Sequence, residues 1–92
     1  MSDYVYFTQR KSDDLIKIGH STCVTERLAF LRTKHGKMEL LGLIPGTISD
    51  EKNLHEQFGM CRVVLEWFNP RDELMDFINT YARPYPLRKH ID

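Results

Sequence analysis

Two short β-prone runs, residues 4–8 (YVYFT) and 15–19 (LIKIG), flank a polar segment at residues 10–14 (RKSDD). Aromatic and β-branched residues favour a pleated, half-buried surface. The pair predicts an antiparallel hairpin with a loop of about five residues. A fold built on it has to cover the hairpin with helices or further strands.

The chain of 92 residues supplies that cover within one domain and has no room for a second core. Ser21 or Thr22 suits a helix cap, and Val24, Leu28 and Leu31 follow at helical spacing until His35-Gly36 stops the pattern. Residues 39–44 (ELLGLI) read as a third strand, ended by Pro45-Gly46. Thr47 or Ser49 caps a second helix over residues 48–58, with Gly59 as its stop. Residues 61–67 (CRVVLEW) read as irregular or as a short strand. Asn69-Pro70 starts a third helix, with Leu74, Phe77, Ile78 and Tyr81 on one stripe. The order β-β-α-β-α-α gives an α/β or α+β domain of two or three layers. Its expected extent is residues 1–82, with residues 83–92 as a C-terminal tail rich in proline and cations.

Hydrophobic residues at 41% and charged residues at 28% are ordinary for a soluble domain. No apolar run approaches the ~20 residues of a membrane span. The start MSDYVYFTQRK lacks a secretory pattern, and Cys23 and Cys61 lack a CxxC partner, so a cytoplasmic protein with free thiols is the expectation. Net charge is zero, but five Lys or Arg stand against Glu26 between Lys17 and Lys37, and seven acids against three bases between Asp50 and Asp76. A phosphate-facing side and a solvated side are one reading of that asymmetry; two ordinary solvated faces are the other.

Cleaving a phosphodiester takes a carboxylate for a divalent metal, a cation for the phosphate and a group that positions or deprotonates water. Glu51 and His55 are four residues apart on the second helix and share a face. Arg27 lies one turn into the first helix, and Tyr6 and Lys17 sit on adjacent strands that bring side chains together. Each also has an ordinary job. A first-turn acid complements a helix N-terminus. A tyrosine packs in a core with a wet hydroxyl, and an arginine stem covers apolar surface.

The ordered set adds to these single readings. Tyr4-Val5-Tyr6, Lys17-Ile18-Gly19, Arg27-Leu28, Glu51 with Leu54-His55 and Phe58, and Glu66-Trp67-Phe68 follow one another through most of the chain. This set resembles the GIY-YIG nuclease superfamily, and most closely its compact phage and bacterial branch, in which "KIG" replaces "YIG" and "EWF" follows. The resemblance implies a small three-stranded antiparallel sheet flanked by helices. It implies a DNA endonuclease using Mg²⁺ or Mn²⁺, with Glu51 holding the metal, Arg27 holding the phosphate, and Tyr6 orienting or deprotonating water. Lys17, in place of the second motif tyrosine, becomes a phosphate contact. His20 becomes a base or a phosphate contact, and His55 a base or a second metal contact. Glu66 either helps the metal or caps a loop. Arg32 and Lys34 of the basic segment extend the phosphate contacts.

The expected partner is DNA, read through its phosphates with little sequence specificity, with a dimer or a second protein supplying more. No membrane is expected. The alternative is a catalytically inactive nuclease fold that binds nucleic acid or regulates a partner, and a third reading is a small interaction protein.

Overall fold

The computed structural model describes residues 3–84. Strand β1 (Tyr4–Arg10) turns into β2 (Ile16–Ser21), followed by helix α1 (Val24–His35), strand β3 (Met38–Pro45) and helix α2 (Ile48–Gln57). A 3₁₀ turn (Gly59–Cys61), strands β4 (Arg62–Val64) and β5 (Trp67–Phe68) and helix α3 (Asp72–Tyr81) complete the order. One antiparallel sheet runs β3-β1-β2-β5-β4.

The expected hairpin is present, with residues 11–15 as its five-residue loop. Asp14 closes it with φ 64°, a left-handed conformation that aspartate tolerates better than most residues. The sheet has five strands, not three. The two additional strands come from the segment read as irregular or as a short strand, and they are too short to alternate visibly. Trp67 and Phe68, the whole of β5, are both buried, one on each face of the sheet.

Two helix starts also differ from the expectation. Cys23, not Ser21 or Thr22, occupies the cap of α1; Ser21 ends β2, and its Oγ accepts the Cys23 amide at 2.9 Å. Asn69-Pro70 stays outside α3, whose cap is Arg71. Asn69 is held back because its amide bonds the Cys61 carbonyl at 2.7 Å and its carbonyl accepts Arg71 N at 2.8 Å. Thr47 caps α2 as expected, in a capping box with Asp50.

The period of two along each strand splits the core between two faces. Val5, Phe7, Ile16, Ile18 and Phe68 pack against Leu54 and Phe58 of α2 and Leu74 and Ile78 of α3. Tyr6, Leu43, Met38 and Trp67 pack against Val24, Leu28 and Leu31 of α1. The result is a three-layer α+β domain. Each fully buried Val, Leu, Ile or Phe contributes about 1.5–3 kcal/mol, so both faces are needed for a chain this small.

Arg83, assigned to the tail by the sequence, is tied to the sheet. Its amide and carbonyl pair with the carbonyl and amide of Leu43, both at 2.9 Å. Arg88 and Lys89, the other cations of that segment, lie outside the described residues.

At the other end of the sheet Arg10 fastens three elements. Its guanidinium stacks on Trp67 at 4.1 Å, grips Asp13 with two bonds, and donates to His35 Nδ1 at 3.2 Å. An arginine only donates, so His35 Nδ1 accepts and the ring is neutral in this arrangement. Burial, then the charges of Arg10, Lys17 and Lys34, hold the His35 pKa below its ordinary 6.5.

Gly19 faces Tyr6 across the β1–β2 ladder. A Cβ at this position would overlap the Cζ and hydroxyl of Tyr6, which is fully buried and cannot yield. Gly19 is therefore required by the phenol lying over it, rather than by a close turn at a ligand.

Two outcomes follow. Gly19→Ala lowers stability by about 1–3 kcal/mol in urea unfolding, the cost of overpacking a filled site. The depressed His35 pKa means the unfolded chain binds the proton more tightly. Its stabilising contribution is complete above the unfolded value near 6.5 and is lost as pH falls through the lower folded value. His35→Gln flattens that part of the melting temperature–pH curve.

Candidate functional site

Strand β5 has two residues and pairs with β2 only at Ile16 and Lys17. Beyond them, β2 meets no further residue of β5 on this side, although the Ile18 amide still reaches the Glu66 carbonyl at 3.2 Å. A cleft of about 520 Å³ wraps this open edge. Lys17, Glu66 and Trp67 line it from the sheet and its turn, Glu51, Lys52 and His55 from α2, with Ile48, Arg62 and Leu65 completing the rim. A smaller recess of about 300 Å³ at the start of α1 is lined by Ser21, Thr22, Glu26 and Arg27, among others.

Tyr6, in the core on the α1 side of the sheet, lines neither. Its hydroxyl is buried and has no hydrogen-bond partner, the only such buried side-chain atom among the described residues. Burial pushes its pKa up to about 12. The Arg27 charge, and an approach of the guanidinium that falls short of hydrogen-bond geometry, act in the opposite direction, while the charges of Glu66 and Glu51 add to the rise. One phenol thus senses the three charged groups that the sequence distributes over residues 27, 51 and 66.

Helix α2 presents Glu51 in its first turn, 8% exposed. Among the described residues its carboxylate accepts no hydrogen bond, and the nearest basic side chain is His55, whose Nε2 lies at 3.8 Å. That nitrogen donates to the Ile18 carbonyl at 2.9 Å, and the ring packs on Phe68 at 5.3 Å. A carbonyl only accepts, so Nε2 carries the proton and the ring is fixed between α2 and β2. Lys17, its side chain 12% exposed, pairs with Glu66 and stands 5.6 Å over the Trp67 ring. Both charges of the pair are partly satisfied by each other.

Residues 3–82 match the model of the T5orf172 domain. The chain belongs to that family. T5orf172 domains are phage-associated and of nuclease-like type, a setting compatible with a nuclease-like or DNA-binding role. No curated protein and no solved structure matches the chain.

Of the residues singled out in this T5orf172 domain, Lys17, Glu51, His55 and Glu66 line the cleft, Arg27 lines the separate recess at α1, and the buried Tyr6 feels the charges of Arg27, Glu51 and Glu66. His20 does not join them. Three positions separate it from Lys17, so its side chain leaves the opposite face of the strand, and Nε2 engages Asp3 Oδ2 at 3.1 Å. Arg32 bonds the Met38 carbonyl through Nε and Nη2 at 3.3 and 3.2 Å, joining the end of α1 to β3. Lys34 lies 5.6 Å over the Phe30 ring on the exposed side of α1. Neither lines the cleft. The cations that do, besides Lys17, are Lys52 and Arg62. Lys52 adjoins Glu51 in the sequence, but nothing in the sequence near Arg62 shows that its strand folds back toward α2.

No group of three or more His, Cys, Asp or Glu side chains is arranged to hold a metal among the described residues. Mg²⁺ does not need one, since it binds through one or two carboxylates and keeps waters or substrate oxygens elsewhere. Glu51, enclosed and without a donor, with Glu66 in the same cleft, fits that donor set. No helix among the described residues is long and apolar enough to cross a membrane.

Tyr6→Phe removes a hydroxyl that bonds nothing. It leaves stability in urea unchanged or raises it by up to about 2 kcal/mol, because an unsatisfied buried polar group is itself a cost. It also removes a phenolate transition near pH 12 from the alkaline absorbance titration. With the folded pKa raised, any stability linked to this proton is present below pH 10 and lost as pH climbs toward 12.

Proposed function

We propose that this T5orf172 domain is a divalent-metal-dependent DNA endonuclease of the GIY-YIG type. The observation that carries the reading is the buried, unpartnered Tyr6 hydroxyl surrounded by the charges of Arg27, Glu51 and Glu66. A polar atom left unsatisfied in a core is costly, and such atoms are retained where a substrate or water supplies the missing partner.

Glu51 would hold the metal, with Glu66 beside it, and a bound Mg²⁺ or Mn²⁺ supplies Lewis acidity toward the phosphate. Arg27, exposed at the recess beside α1, grips non-bridging phosphate oxygens and offsets charge as the bond breaks. Tyr6 orients the attacking water through its neutral hydroxyl. With a pKa of about 12, only about one molecule in 10⁵ carries the phenolate at pH 7, so orientation outweighs deprotonation. His55 acts as a positioning residue: it fixes α2 to β2 and so holds Glu51 at the edge. Lys17 keeps Glu66 turned inward and adds positive charge to the cleft.

The Lys17–Glu66 pair also favours a second reading. A lysine engaged by a carboxylate replaces the second motif tyrosine, which suits a nuclease fold that binds DNA without cutting it.

Incubating the protein with supercoiled plasmid in Mg²⁺, Mn²⁺ or EDTA separates the two. We expect metal-dependent nicking that falls about 10²–10³-fold in Arg27→Ala, the loss usual for one transition-state donor, and disappears in Glu51→Ala. Binding without cutting under every condition, unaltered in Glu51→Ala, would establish the second reading instead.

A further inference from the structure

The cleft carries more than phosphate chemistry. Its rim holds two of the seven exposed large apolar side chains among the described residues, Ile48 at 55% and Leu65 at 73%. Ile48 opens α2, and Leu65 forms the turn between β4 and β5. Neither contributes to the core clusters.

Leu65 is also strained. Its φ of 50° is a left-handed conformation that a bulky side chain rarely adopts, and the turn has no glycine or asparagine to take that place. Two contacts hold the turn in this form: Arg62 Nε donates to the Leu65 carbonyl at 2.5 Å, and the Ile18 amide donates to the neighbouring Glu66 carbonyl. A strained residue that exposes apolar surface beside the proposed catalytic groups is costly twice over, and such cost concentrates at sites that use it.

Aliphatic side chains find no partner on phosphates. Against nucleic acid their partners are sugars and the faces of bases. In a paired duplex those faces are stacked away; an unpaired nucleotide offers one. The cleft volume of about 520 Å³ suits a group of that size, being well inside the range of about 300–1,000 Å³ for small-ligand sites. Lys52 and Arg62 on the same rim supply charge for the flanking phosphates.

We infer that the cleft takes a DNA strand carrying an unpaired nucleotide, whose base rests between Leu65 and Ile48 while Lys52 and Arg62 hold the adjoining backbone. The inference rests on the endonuclease reading and narrows its substrate to DNA with locally broken pairing.

The test is binding, measured by fluorescence anisotropy in EDTA so that no cleavage intervenes. A labelled duplex is compared with the same duplex carrying one unpaired nucleotide. Wild-type protein is expected to prefer the interrupted duplex by about fivefold or more, the low end for a base resting on a side chain. Leu65→Asn and Ile48→Ser each bring that ratio close to one. Leu65→Gly, which relieves the left-handed strain, does the same without lowering Tm, so the loss is not one of folding. Equal affinity of the wild type for both duplexes, or a preference that survives in all three variants, overturns the inference and leaves the endonuclease reading standing. Failure of the wild type to bind either DNA overturns the inference, while the endonuclease reading is decided separately by metal-dependent nicking of plasmid.

Discussion

The packing of Tyr6 over Gly19 is the contact on which the rest of this structure depends. It fixes the register of the central hairpin, because any side chain at residue 19 would expel the ring. It also sends the hydroxyl of an otherwise apolar-packed residue to a place where no protein group meets it. The same contact thus builds the core on the α1 side and leaves one polar atom buried without a partner. Packing and chemistry cannot be separated at this position.

The second constraint is the shortness of β5. Two residues suffice to bury Trp67 and Phe68 on opposite faces and to bring Glu66 against Lys17, but not to cover β2 along its length. The uncovered edge is where groups from the two sides of the sheet meet. Glu51 and His55 belong to the α2 layer, and Tyr6 and Arg27 to the α1 layer, yet all lie within electrostatic or hydrogen-bonding reach of the same stretch of strand. A longer β5 would separate these layers completely. Membership of the T5orf172 family, matched over residues 3–82, spans this whole arrangement rather than one element of it.

Electrostatics within the site are arranged by burial more than by net charge, which is zero for the chain. Glu51 is enclosed without a donor, Lys17 is compensated by Glu66, and the phenol between them stays protonated. The basic side chains of the first helix that composition singled out are spent elsewhere: Arg32 closes the α1–β3 junction, and Lys34 covers Phe30. Charge counted along the sequence is therefore a poor guide to charge available in the cleft.

The sequence by itself determined the hairpin and its loop length, the three helices and the Thr47 cap, because these follow from local periodicity and turn signals; the set Tyr6, Lys17, Arg27, Glu51 and His55 came from the ordered motifs of a family resemblance. The sequence also shows that Lys17 and His20, three positions apart on one strand, leave opposite faces. Only the tertiary structure decided that residues 62–68 add two strands, that β2 keeps an open edge, and that Lys52, Arg62, Ile48 and Leu65 surround it. Those features arise from pairings between residues some fifty positions apart, such as Lys17 with Glu66 and Trp67. Such pairings are set by the cooperative fit of the whole core. They leave no period, cap or turn signature in the residues that make them.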